Sequence, residues 1–222
     1  MQILQQITVI IHVVFAIASF SLALIALSIN KGSKFHPKVG RVFVISYIIT
    51  LITSFIISIG FDIYEDAGIK YMLFVEGLLA VEVFNRGLLA VRYKAYSRNR
   101  EILNTIVAVI VLFAGISLFC YGLWEDNNII IVMGAFVSTV SGIDAGKSMR
   151  YNSHNYRWKY DHFYGMIFTA ALLIFNGTSF FWIKEIYFKT GNVPLERMLL
   201  SVTPMVIVLI IIEIIRMRVV KS

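Results

Sequence analysis

A single cysteine, Cys120, leaves the 222-residue chain without an intramolecular disulfide or a CxxC metal or redox motif. No HExxH or HxxxH spacing occurs, and no Walker-type loop, GxGxxG turn or serine-hydrolase elbow. The glycines are scattered. Soluble-style nucleotide chemistry and motif-defined zinc or nucleophile chemistry therefore have no support. No stretch is left over for a soluble domain, because 59% of the residues are apolar and the mean hydropathy is +0.80. A soluble domain has about 45–50%.

What is present is a series of long apolar runs. A bilayer core of about 30 Å takes roughly 20 apolar residues per helix. The runs predict an all-α, single-domain bundle of seven transmembrane helices over 6–29, 40–61, 70–92, 102–124, 128–146, 162–184 and 197–217. They lack the period-two alternation of barrel strands, and backbone polar groups in hydrocarbon must be satisfied within a helix. The first run has no basic segment before it and a basic one after it, the wrong polarity for a cleaved signal. Pro204 alone interrupts a span, so there is no Pro/Gly-broken pair of the kind transporters use. Cys120 reads as a packing residue.

Charge sets the orientation. Lys31, Lys34, Lys38 and Arg41 follow the first span, and Arg92, Lys94, Arg98 and Arg100 follow the third. Lys147, Arg150, Arg157 and Lys159 follow the fifth, and Arg216, Arg218 and Lys221 the seventh. The alternate loops carry Asp62, Glu65 and Asp66, then Glu125 and Asp126, then a mixed set. The positive-inside rule places the N-terminus outside and the C-terminus in the cytoplasm of what reads as a bacterial cytoplasmic membrane. The same rule absorbs the net charge of +7, so the lipid bilayer is the expected partner and nucleic acid is not. Trp124, Trp158, Trp182 and the tyrosines around Trp158 form the interfacial aromatic belt.

The candidate site residues are few. Glu82 lies near the middle of the third span, with Asn85 and Arg86 three and four residues on and so on one helical face. An intramembrane carboxylate costs about 2.5–3.5 kcal/mol, which makes the trio a candidate ligand site or proton relay. The competing reading is an ion pair that only holds helices together. Glu76 falls on another face and is expected to be solvated or interfacial. Asp144, at the depth of the cytoplasmic helix-start histidines, and Asn176, at the depth of His12, are further relay candidates. His12 lies in the outer half of the first span, His36 and His162 at cytoplasmic helix starts, and His154 in the loop before His162. Helix-end imidazoles can hold haem iron. His36 and His162 are the candidate cofactor ligands, with His12 a further one facing Asn176, and His36, His154, His162 and Asp144 a candidate metal set. Gly134, Ser138 and Ser141 are small enough to close-pack a helix pair.

The stretch His12, Lys31-Gly32, His36 and Gly40-Arg41-Val42-Phe43 resembles a family of bacterial polytopic membrane proteins defined only as a domain of unknown function. That family's pattern is a first-helix histidine, a short basic loop and His-Arg-x-x-Gly-Arg opening the second helix. Here Pro37 replaces the arginine and one extra residue precedes Gly40. The likeness covers roughly the first two fifths of the chain, and the family's later histidine motif is absent from 92–101. More distantly, the chain is similar to membrane b-type cytochromes. The resemblance implies a bundle with paired histidine positions, His12 and His36.

Two functions follow as expectations. One is a small haem b- or metal-binding redox protein. The other is a non-enzymatic carrier or receptor-like bundle that binds a small polar ligand at Glu82, Asn85 and Arg86. A lipid-modifying enzyme would need a constellation that the sequence does not contain.

Overall fold

A computed structural model describes residues 2–30, 33–61, 67–150 and 158–182. The expected span 197–217 and His154 lie outside the described residues, as does the side chain of Asn176. Six helices are described: α1 Gln2–Ser28, α2 His36–Gly60, α3 Ala67–Arg92, α4 Arg98–Trp124, α5 Asn128–Arg150 and α6 Trp158–Trp182. No strand occurs among the described residues. At 23 to 27 residues, each helix is about 35–40 Å long, enough to cross hydrocarbon.

Among the described residues α1, α2, α4 and α5 are apolar enough throughout to span a membrane. Their exposed side chains are those a lipid phase would solvate: Ile10 and Ile17 on α1, Ile45 and Ile52 on α2, Ile110 and Phe113 on α4. Buried positions, by contrast, include Glu76, Glu82, Arg86, Asp144 and Asp161. Apolar outside and charged inside is the arrangement for hydrocarbon, not for water. The chain is a multi-pass integral membrane protein.

Two compact units divide the chain, Met1–Gly77 and Leu78–Ser222, with the boundary inside α3. In the first, α1 and α2 form an antiparallel hairpin. His36 Nδ1 lies 3.1 Å from the Ala26 carbonyl near the turn, and His12 Nδ1 lies 3.2 Å from the Thr50 carbonyl deep in the span. Pro37 sits in the first turn of α2, where its missing N–H costs no helical hydrogen bond. One face of α2 buries Ser46, Tyr47, Thr50 and Thr53. The threonine hydroxyls donate to carbonyls of the preceding turn, Ser46 and Ile49, so they are satisfied without water. Gly77 of α3 lies under the Phe55 ring, which meets Phe74 edge-on at 5.6 Å.

The second unit packs backbone against backbone. A Cβ on Gly115 would come 2.7 Å from the Ser138 amide nitrogen, and one on Gly122 would come 2.6 Å from that of Ile131. One on Gly134 would strike the Phe119 backbone. Gly134 and Ser138 therefore close-pack α4 against α5 within the chain. The turn between them closes through Asp126 in the left-handed region (φ 51°), with Asn127 N–H donating back to the Gly122 carbonyl. The Asn127 side chain then caps α5, accepting from the Ile129 amide at 3.1 Å. Helices α3 and α6 cross at a second glycine pair, where a Cβ on Gly165 would lie 2.5 Å from the Gly87 Cα.

Five helix ends differ from the apolar runs in one direction. α1, α2, α4 and α6 begin at 2, 36, 98 and 158 rather than 6, 40, 102 and 162, and α5 ends at 150 rather than 146. Each runs about one turn beyond its hydrophobic segment. The reason is visible at Arg100, Glu101 and Asp161, which are helical and buried because they are paired with one another.

Candidate functional site

The second unit encloses a polar network at the heart of which are α3 and α5. Glu82 and Arg86 stack one turn apart on α3, and Ser141 and Asp144 do the same on α5. Ser141 Oγ donates to Glu82 Oε2 at 2.7 Å. Arg86 Nη1 approaches Asp144 Oδ1 at 3.3 Å and the Asp144 carbonyl at 3.4 Å. That carboxylate contact is an ion pair by distance and not by hydrogen-bond geometry, since neither Asp144 side-chain oxygen has a donor aligned on it among the described residues.

The network continues into α6 and α4. Arg86 Nε lies 3.5 Å from Asp161 Oδ1, and Arg100 Nη2 donates to Asp161 Oδ2 at 3.2 Å. Arg100 also pairs with its neighbour Glu101. Asp161 thus bridges two guanidinium groups from different helices while being fully buried. Above it, the Tyr164 ring receives Arg86 at 5.9 Å and Lys147 at 5.1 Å. Tyr160, Tyr164 and Phe168 stack one turn apart along α6, and Phe136 of α5 extends the stack.

Four carboxylates, from Glu82, Glu101, Asp144 and Asp161, share this interior with the guanidinium groups of Arg86 and Arg100. When all are ionised, acid exceeds base by two charges. Glu82 Oε1 and both Asp144 side-chain oxygens are buried without a hydrogen-bond donor. Such acceptors fit a proton or a ligand bearing N–H or O–H groups.

Neither a family model, a curated protein nor a solved structure matches this chain.

Of the expected residues, Glu82, Arg86 and Asp144 are brought together; Asn85 is half-buried and lies outside the described network. His162 approaches α3 from α6, with Nδ1 3.1 Å from the Gly87 carbonyl. His12 and His36 belong to the first unit. A carbonyl can only accept, so each of these three imidazoles donates from Nδ1. His12 also has Thr53 Oγ1 at 3.1 Å. Along α2, Thr50 and Thr53 lie 14 and 17 residues beyond His36, so His12 and His36 are roughly 21–26 Å apart in depth. They cannot ligate one iron. Among the described residues no group of three or more His, Cys, Asp or Glu is placed to hold a metal ion.

Two expectations are corrected. Glu76, expected at the interface, is 5% exposed, and Cys120, expected to pack, is exposed. Ser141, Arg100, Glu101 and Asp161 were not among the expected site residues. Arg100 is one of a run of basic residues and so reads as ordinary positive-inside charge. The available signal was the acidic first turn of α4 and α6, where Glu101 and Asp161 complement the helix N-termini.

Proposed function

We propose that this protein is a seven-helix carrier or receptor-like bundle of a bacterial cytoplasmic membrane, N-terminus outside, which recognises a small polar ligand at Glu82, Arg86 and Asp144. The observation that carries this reading is the set of buried carboxylate oxygens left without donors beside a fixed guanidinium group. A ligand with one or two N–H or O–H groups would satisfy Glu82 Oε1 and Asp144, and Arg86 would hold an acceptor on the same molecule. In the positive-inside orientation the site lies in the cytoplasmic half of the bilayer. Glu82 is then about 15 Å, ten residues, from the end of α3.

The test is thermal unfolding of the detergent-purified protein against a panel of small amines, amino acids and polyols. A true ligand at 100 times its Kd stabilises by about 2.7 kcal/mol. Glu82→Gln, which keeps an oxygen to accept from Ser141 Oγ, should abolish that shift while the apo protein remains monodisperse. A shift of equal size in Glu82→Gln would move the ligand elsewhere.

A haem- or metal-binding redox protein with His36 and His162 as ligands is the second reading. It is favoured by the Nδ1–carbonyl contacts, which fix the orientation of the two rings. Neither unit by itself supplies two described imidazoles at one depth. Haem would supply one-electron transfer, and the two histidines would orient it. A Soret band that bleaches in His36→Ala or His162→Ala would favour this reading over the carrier.

A further inference from the structure

Glu76 stands apart from the charged network. It belongs to the first unit, is buried, and its Oε1 meets no donor. Among the described residues no ion pair involves it. Its neighbour across the helix interface is Tyr47 of α2, itself buried and within electrostatic range. One and two turns further along the same face of α2 come Thr50 and Thr53, and then His12 of α1, a titratable group whose Nδ1 meets the Thr50 carbonyl and the Thr53 hydroxyl. On α3 itself the nearest cation is Lys70, six residues away, or about 9 Å along the axis. Phe55, Phe74 and Gly77 pack α2 against α3 beside the carboxyl.

An ionised carboxylate in hydrocarbon needs a counter-charge or several donors, and among the described residues Glu76 has no ion pair and its Oε1 no donor. The neutral acid needs only one acceptor or donor. We propose that Glu76 is a membrane-buried proton-binding site, whose carboxyl takes up and releases one proton beside Tyr47, separately from the ligand cluster. The hydroxyls of Thr50 and Thr53 are committed to backbone carbonyls. They are not a relay, and Glu76 exchanges its proton as a single site.

The experiment uses the full chain in lipid vesicles and the apolar reagent dicyclohexylcarbodiimide. The reagent adds to a protonated carboxyl, and acyl migration from oxygen to nitrogen leaves a stable N-acylurea with no further reactant. The expected result is an adduct on the α3 peptide that contains Glu76. It should increase as pH falls, remain unchanged when sodium replaces choline, and be lost in Glu76→Gln. Infrared absorption of the protonated carboxyl supplies a reagent-free readout, in which Glu76→Gln loses one C=O band. Identical infrared spectra for the two proteins would overturn the proposal. So would protection of Glu76 by sodium but not choline, which would make the site one for a metal cation.

Discussion

Glu76 and Asp161 are both carboxylic acids buried on membrane-embedded helices, yet Asp161 has two arginines within 3.5 Å and Glu76 has no cation paired with it among the described residues. In the second unit Asp161 has its counter-charge built in, the guanidinium groups of Arg86 and Arg100. Among the described residues of the first, one buried acid, Glu76, lies near a tyrosine, aromatic rings and hydroxyls that donate to their own helix. The packing differs in the same sense. Helices of the second unit meet through glycines at backbone distance, which brings side chains on facing helices close enough to pair. The α1–α2 hairpin instead meets through His12 and the hydroxyl face of α2. Hydrocarbon tolerates a charged residue either with its counter-charge or as its neutral form; Asp161 takes the first solution and Glu76 the second.

The comparison can be broken most severely at Arg86. Arg86→Gln leaves Asp144 without its cation and Asp161 with Arg100 alone. Removing one partner of a buried pair typically costs about 3–5 kcal/mol. The expected outcome is a large fall in thermal midpoint and in monodisperse yield. A midpoint within a degree or two of the parent protein would show that the network is hydrated rather than sealed.

Packing gives the intermediate effect. Gly165→Ala places a methyl group 2.5 Å from the Gly87 Cα and 2.8 Å from the Val83 carbonyl oxygen, atoms that move only with their helix. Overpacking of this kind costs about 1–3 kcal/mol. Gly77→Ala in the first unit meets only the Phe55 ring at 3.1 Å, which can give by a few tenths of an ångström. The alanine at 165 should lower the unfolding midpoint and the one at 77 should change it little. Equal losses would mean that the two units share one packing mode.

The order and number of the first six helices were legible from hydropathy alone, because nothing else in 222 residues can satisfy a backbone in lipid. Glu82 and Arg86 were legible too, since charges one turn apart in an apolar run have few places to go. Depth placed Asp144 with the helix-end histidines, whereas the structure puts its carboxylate on Arg86. What was not legible is the rest of the network. Arg100, Glu101 and Asp161 end or begin helices, and a hydropathy scale treats such charges as loop. Only the three-dimensional pairing removes them from water, and it extends α4 and α6 by a turn. Glu76 was misjudged for a different reason. Helical phase separates it from Glu82, but phase cannot say that both faces of α3 are covered.

The central claim is that Glu76 and Asp161 differ in charge state, and isosteric amides read it most directly. Glu76→Gln and Asp161→Asn each exchange one carboxyl oxygen for an NH2 group. Their thermal unfolding should be measured side by side in the same lipid or detergent at neutral pH. The account predicts that Glu76→Gln, which mimics a neutral acid, unfolds within about 1 kcal/mol of the parent. Asp161→Asn, which leaves Arg86 with Asp144 alone and Arg100 with Glu101 alone, should lose about 3–5 kcal/mol. The reverse ranking would contradict the account.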